Sequence, residues 1–292
     1  MGALSTTRPH AHIPMKPVLV LTLLATLLFT SIAQAAPRVE TPAPSITQDI
    51  ASAGRLRLQS QRLAKLWLQA GLGINAGAAT GQLARGAAQF DTGLAELAYY
   101  AKRPATQNSL QRVSDLWVEY RIALSLPYNV ANLNLVNYLA EDLMLATGKL
   151  TMKIEAEADT GAGRLLDLSL RQNMLAQRLA RLYLLSLAGD RSSGRLVDMD
   201  QTRKEFTTAL NELSSAYENT PASRDALELA RMQWIFFDQA ISEMNKGGIS
   251  RPQNVATTSE RIMEALDAVS RQYAQDYSTT RLAATPGSPL RN

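Results

Sequence analysis

The chain has 292 residues, enough for one large domain or two modest ones, with 30 Lys and Arg against 26 Asp and Glu, two His and no Cys. A formal net charge of +4 with no concentrated basic stripe gives no support for a nucleic-acid partner. Without cysteine there is no disulfide, thiolate nucleophile or covalent haem attachment, and a hydrophobic core must hold the fold together.

Lys16 precedes an apolar run from Val18 to Ile32, which is followed by Ala33-Gln34-Ala35. A basic start, a short apolar core and an A-x-A site are the layout of a cleavable signal peptide over residues 1–35, and the run is too short to make a good membrane span. Met15 is an alternative start, because Met15 to Ala35 forms a complete signal by itself. The expected location is the periplasm. An uncleaved segment would instead anchor the chain in the inner membrane, the one route to membrane contact. Cleavage removes both histidines, His10 and His12, and leaves 28 basic residues against 26 acidic ones. The mature chain then lacks the usual general base, the commonest metal ligand and the axial ligand a b-type haem needs. No cofactor, no metal and no enzymatic activity are expected.

A Pro-rich lead over 36–44 opens the mature chain, and Ser45 and Gln48 have capping-box spacing ahead of a helix that runs to about Leu72. Gly71, Gly73 and Gly77 break it. A second helix spans about Ala79 to Ala101 and ends before Pro104, and a third covers Gln107 to Leu126. Pro127 and Asn129 form a turn, and a fourth helix runs from about Ala131 to Ala158. Four more follow near Arg164–Leu187, Arg195–Tyr217, Ala222–Asn245 and Asn254–Tyr277, with Thr220 as an N-cap and Pro221 at the first helical position. The tail over 279–292 carries Pro286, Gly287 and Pro289 and reads as disordered.

The second four helices repeat the first four. Gln61-Arg62-Leu63-Ala64-Lys65-Leu66-Trp67-Leu68 returns as Gln177-Arg178-Leu179-Ala180-Arg181-Leu182-Tyr183-Leu184, at an offset of 116. Phe90 answers to Phe206, Leu94 to Leu210, Glu96 to Glu212, Leu97 to Leu213 and Trp117 to Trp234. A repeat of this length is one supersecondary unit with its own share of core. No stretch alternates apolar and polar residues, and Val and Ile are sparse, so strands are not expected. The fold class is all-α, a tandem duplication of antiparallel four-helix-bundle modules over residues 45–159 and 162–278. The junction from Asp159 to Gly163 fits either a turn or one long helix joining the copies, at about 1 kcal/mol per absorbed glycine. The copies therefore lie side by side or end to end.

On the first helix, Leu56, Leu63, Trp67 and Ala70 form one apolar stripe and Leu58, Leu68 and Leu72 a second, with Arg57 projecting between them near Ala64. Arg55, Gln59 and Arg62 share another sector. A helix apolar on two sides packs on two sides: against its own bundle, and against the other copy or another subunit.

The segment Ala53-Gly54-Arg55-Leu56-Arg57-Leu58-Gln59-Ser60-Gln61-Arg62-Leu63 resembles the P-box of bacterial nitrate/nitrite sensor kinases. The wider pattern G-R-x-R-x-x-S-Q-R-x-A-K is similar to the N-terminal domain of type IV pilus methyl-accepting chemotaxis transducers, a related helical sensor family. The first resemblance implies a nitrate or nitrite ion held between two P-box helices at a dimer interface, with Arg57 as its main ligand and Arg62 as the later arginine of the box. Arg55, Gly54, Gln59 and Ser60 complete the candidate site. A guanidinium is a planar fork of donors suited to a small oxyanion. A lysine that precedes the box in some nitrate sensors falls at Ser52, and the second copy has Asn173 where the first has Arg57. Only the first copy keeps the anion-binding pattern.

Blander roles remain for much of the chain. Isolated arginines usually pair with acids on a solvated or interface face, and Arg178 reads as structural. Trp67, Trp117, Trp234, Phe90 and Phe206 read as core. Glu141-Asp142 and Glu155/Glu157/Asp159 read as solvated helix faces, and Met144, Met152, Met174, Met232, Met244 and Met263 as adaptable packing. The expected function is a periplasmic, sensor-like protein that binds a small oxyanion and passes the signal to a separate protein partner or through a homodimer, since no second hydrophobic span and no room for a kinase or chemotaxis signalling region follow. The alternative is a helical interaction or scaffold protein of the cell envelope with no small-molecule ligand.

Overall fold

The computed structural model describes residues 46–157, 162–246 and 251–284. Contacts divide the chain into Met1–Pro42 and Ala43–Asn292, and every described residue belongs to the second unit. The signal segment, the Pro-rich lead, Ser45 of the capping box, Asp159 and the tail from residue 285 lie outside the described residues.

Among the described residues all regular structure is helical: α1 (Ile46–Gly71), α2 (Ala76–Glu96), α3 (Gln107–Leu124), α4 (Val130–Glu155), α5 (Ala162–Leu187), α6 (Ser193–Ser215), α7 (Pro221–Asn245) and α8 (Pro252–Ala284), plus one 3-10 turn, Ala98–Lys102. No described helix is long and apolar enough to cross a membrane. Local chemistry sets the ends. Asn129 Oδ1 accepts from the Asn132 N–H at 2.9 Å, and Thr220 Oγ1 from the Ser223 N–H at 3.2 Å with Pro221 behind it. Gly73 and Gly189, equivalent across the repeat, both take positive φ (74° and 110°). Each closes its helix with a bond from the following residue to a carbonyl five back, Ile74 to Gln69 at 2.8 Å and Asp190 to Leu185 at 3.0 Å.

Two helix ends differ from expectation. The second helix stops at Glu96 rather than continuing to Ala101, and the tighter 3-10 winding lets both Tyr99 and Tyr100 hydroxyls donate to the Asp49 carboxylate, the latter at 3.1 Å. The last helix runs beyond Tyr277 to Ala284, into residues expected to be disordered. Nothing in Thr279–Ala284 breaks a helix, and the first obstacle is Pro286, which disfavours helical backbone at the residue before it.

The two repeats lie side by side. α1 packs on α2 and α4 of its own repeat and, more extensively, on α5; α5 in turn packs on α6 and α8. Gly54 faces Leu170, Ile50 faces Gly163 and Gln61 meets Arg181, so α1 and α5 run parallel with equivalent positions roughly opposite. A Cβ on Gly54 would lie 2.7 Å from Leu170 Cδ1, which is why the closest approach uses glycine. Both helices are buried almost all round, so the second apolar stripe of α1 is covered by the other repeat within the same chain.

In each repeat an aromatic pair, stacked in the first and tilted in the second, bridges the second and third helices. Phe90 on α2 meets Trp117 on α3 with centroids 4.0 Å apart, and Phe206 on α6 meets Trp234 on α7 at 4.3 Å. All four are buried, as is Trp67. The methionines divide: Met174 is buried, but Met152 and Met232 are 65% and 45% exposed, contrary to a packing role, because they sit on the outer faces of α4 and α7. Phe90→Ala should cost about 3–5 kcal/mol, since the cavity opens beneath Trp117 where helices are held apart by rings and cannot collapse. Urea unfolding followed by circular dichroism measures it.

Candidate functional site

The seam between α1 and α5 holds the repeated phrase, and its glutamines and cations reach in matching directions in the two copies. Gln61 donates to the Ala140 carbonyl of α4 at 3.0 Å, and Gln177 to the Ser259 carbonyl of α8 at 2.9 Å. Each glutamine thus ties its helix to the fourth helix of its own repeat. The cations reach the other way. Arg62 grips Glu260 of α8 with Nε and Nη2, at 3.0 and 2.6 Å, and Lys65 Nζ joins the same carboxylate at 2.5 Å. Arg178 and Arg181 both bond Glu141 of α4. Glu141 and Glu260 are themselves equivalent, at an offset of 119. Two carboxylates, one from each repeat, are each held by two cations from the opposite repeat.

Burial makes these braces strong in consequence. Lys65 and Arg181 side chains are fully buried. Arg181 spends Nε on Gln61 Oε1 at 2.8 Å, Nη1 on Asn137 and Nη2 on Glu141. Burial lowers the Lys65 ammonium to about 8 despite Glu260 beside it. Burial also pushes the Glu260 carboxyl up, but Lys65 and Arg62 more than offset this and hold it at about 2. Glu141 is likewise held below the ordinary carboxylate range, burial being outweighed by Arg181 and Arg178. Glu141 is therefore no solvated-face residue: it is held at the seam by one fully buried guanidinium, Arg181, and one partly buried one, Arg178.

A third cluster lies nearer the start of α1. Arg57, 8% exposed, donates through Nη2 to Asp167 Oδ1 of α5 at 2.5 Å, and Glu155 of α4 stands beside the pair. Arg57 Nε and Glu155 Oε1 are both buried without a hydrogen-bond partner among the described residues. Burial, with Asp167 adding to it against the opposing pull of Arg57, raises the Glu155 carboxyl to about 7. Glu155 is thus also removed from the solvated face expected for it, whereas Glu157 pairs with Arg103 at the surface. Asn173, equivalent to Arg57, donates to Asp267 at 2.9 Å.

The six candidate residues part company here. Arg55 is half-exposed and donates to Ser52 at 3.0 Å, near Glu96. Gly54 is packed under Leu170, Gln59 donates to Gln89 of α2 at 2.9 Å, and Ser60 donates to the Arg57 carbonyl at 2.7 Å. Arg62 has its fork filled by Glu260. Arg57 alone keeps a buried, unused N–H at the seam. The acids Asp167, Glu155, Glu141 and Glu260 escaped sequence reasoning; the match of Glu141 to Glu260 across the fourth helices was the signal available.

Residues 44–137 match the family model described as Type IV pili methyl-accepting chemotaxis transducer N-term. The match covers α1 to α3 and the start of α4, so this part of the first repeat is similar to the N-terminal domain of such transducers. No curated protein and no solved structure matches the chain.

Two outcomes follow from the seam. Glu260→Gln, which leaves Lys65 and Arg62 buried without a counter-charge, should lose about 3–5 kcal/mol in chemical denaturation. For Glu155 the folded carboxyl titrates above its ordinary 4.5, so its contribution is full below that pH and disappears as pH rises through about 7. Stability should therefore decline from this source between pH 5 and 7, and Glu155→Gln should flatten that slope in melts taken across the range.

Proposed function

We propose that this chain is a periplasmic sensor-type protein in which the two repeats form, within one polypeptide, the paired-helix arrangement that nitrate sensors are expected to make between subunits. The ligand is a small oxyanion, nitrate or nitrite, and Arg57 is its ligand. The observation that carries this reading is the half-used guanidinium: one N–H of Arg57 pairs with Asp167, while Nε is buried in the seam with no partner among the described residues. An arriving anion would take Nε and compete with Asp167 for the fork, exchanging an internal carboxylate for an external oxyanion. Because Asp167 is on α5 and Glu155 on α4, releasing Asp167 changes how the repeats bear on each other. That change is the signal, which a separate protein partner reads.

Thermal unfolding tests it. Near tenfold excess over Kd, nitrate or nitrite should raise the melting temperature by about 3–6 °C, and Arg57→Gln should abolish the rise. An equal rise with chloride, or an unchanged rise in the variant, would sink the assignment. Amide exchange over Ala53–Leu63 should slow with the anion in the unaltered chain only.

A second reading, an envelope scaffold without a small ligand, is favoured by one observation. Val118 and Ile122 on α3 and Tyr138, Leu145 and Met152 on α4 are 57–65% exposed, the last three at seven-residue spacing on one face. On that reading a partner is captured equally with and without nitrate.

A further inference from the structure

The two repeats are alike in their cores but differ on the outside, between their third and fourth helices. In the second repeat, α7 and α8 frame a groove of about 480 Å³. Phe236, Gln239 and Glu243 line it from α7 at helical spacing, and Asn254, Thr257 and Arg261 line it from α8. The corresponding positions of the first repeat, by the same offsets of 117 and 119, are Glu119, Ile122, Leu126, Leu135, Tyr138 and Asp142. Four apolar or aromatic side chains there become polar ones. The acid Asp142, which pairs with Arg112 at 3.7 Å in repeat one, becomes the cation Arg261. An acid, Glu119, becomes an aromatic ring, Phe236. Packing alone gives no reason for these changes, since α3 on α4 and α7 on α8 make comparable helix pairs.

The charges in the groove are unevenly matched. Glu243 is engaged twice, accepting from Gln239 at 2.9 Å and lying 3.5 Å from Arg251 Nε. Arg251 is fixed from below, its backbone N–H donating to the Tyr183 hydroxyl at 2.8 Å. Arg261 makes no ion pair among the described residues and is exposed. One acid is thus offset by one of two guanidiniums, leaving the groove with a free planar cation. Phe236, 64% exposed, supplies the apolar wall.

We propose that this groove is a second ligand site, separate from the α1–α5 seam, and that it takes a small aromatic carboxylate. The carboxylate sits on the Arg261 fork, with the Asn254 amide and Thr257 hydroxyl available as further donors. The ring lies against Phe236, in the offset or edge-on arrangements that aromatic pairs prefer. The groove combines one aromatic wall with a few convergent polar groups, the latter being what fixes a ligand's orientation in small-molecule sites.

Benzoate is the probe, with acetate (no ring) and benzyl alcohol (no charge) as partial ligands, and binding is followed on the whole chain by saturation-transfer NMR and calorimetry. Benzoate should bind saturably, and each partial ligand should bind at least about tenfold more weakly. Arg261→Gln removes the cation, and Thr257→Tyr restores the bulk found in repeat one. Both residues are exposed, so melting temperature should not change, while benzoate affinity should fall about tenfold or more in each. Arg57→Gln should leave benzoate binding intact, which separates this site from the seam. Absence of saturable benzoate binding at millimolar concentration overturns the proposal. So does acetate binding as tightly as benzoate, or an unchanged affinity in Arg261→Gln.

Discussion

The fold depends on one constraint: α1 and α5 are buried on nearly every side, yet both carry charged side chains along their length. Burying a cation without compensation is far more costly than any single apolar contact is favourable, so each must find a carboxylate within reach. The nearest partners of its own repeat do not supply it. Arg62 and Lys65 find Glu260, and Arg178 and Arg181 find Glu141, each across the seam. The requirement to neutralise the inner helices therefore forces the two repeats together in one register. Apolar packing alone would tolerate sliding by a turn; a fixed carboxylate shared by two cations does not.

Much of this fold was legible in the sequence, because its strongest signals are local and periodic. Helix ends followed from Asn129, Thr220-Pro221 and paired glycines, and the matched Phe and Trp residues marked the core of each bundle. Relative placement of the copies was not legible: Gly161 and Gly163 admit a turn or a continuous helix, and only the α1–α5 packing distinguishes them. The acids were misjudged for a related reason. An acidic residue close to another acid, as in Glu141-Asp142 and Glu155/Glu157, looks solvated, and the arginines that meet Glu141 and Glu155 come from other helices. Arg57 was recognisable from its place in the motif, whereas its unused Nε–H is a matter of geometry that no spacing rule gives.

The duplication is imperfect in an informative way. Lys65 replaces the arginine found at 181, and Lys65 is too short and too poor in donors to reproduce its counterpart's contacts. Arg181 satisfies Gln61 Oε1, while Gln177 Oε1, in the matching position, is buried without a partner among the described residues. Arg57 faces Asp167 and Asn173 faces Asp267, so the pseudo-twofold relation holds for the braces and fails at the anion-type cluster. The two halves are held by equivalent bonds but present unequal chemistry, on the seam and on the outer grooves alike.

The parallel setting of α1 and α5 also has a mechanical side. With neighbouring helices antiparallel in each repeat, α1 begins and α8 ends at the same pole of the structure, and the Arg62–Glu260 pair binds those two helices directly. A pull that draws these two helices past one another along their axes loads the Glu260 carboxylate, its two cations and the bond from Lys65 to the Ser259 hydroxyl together.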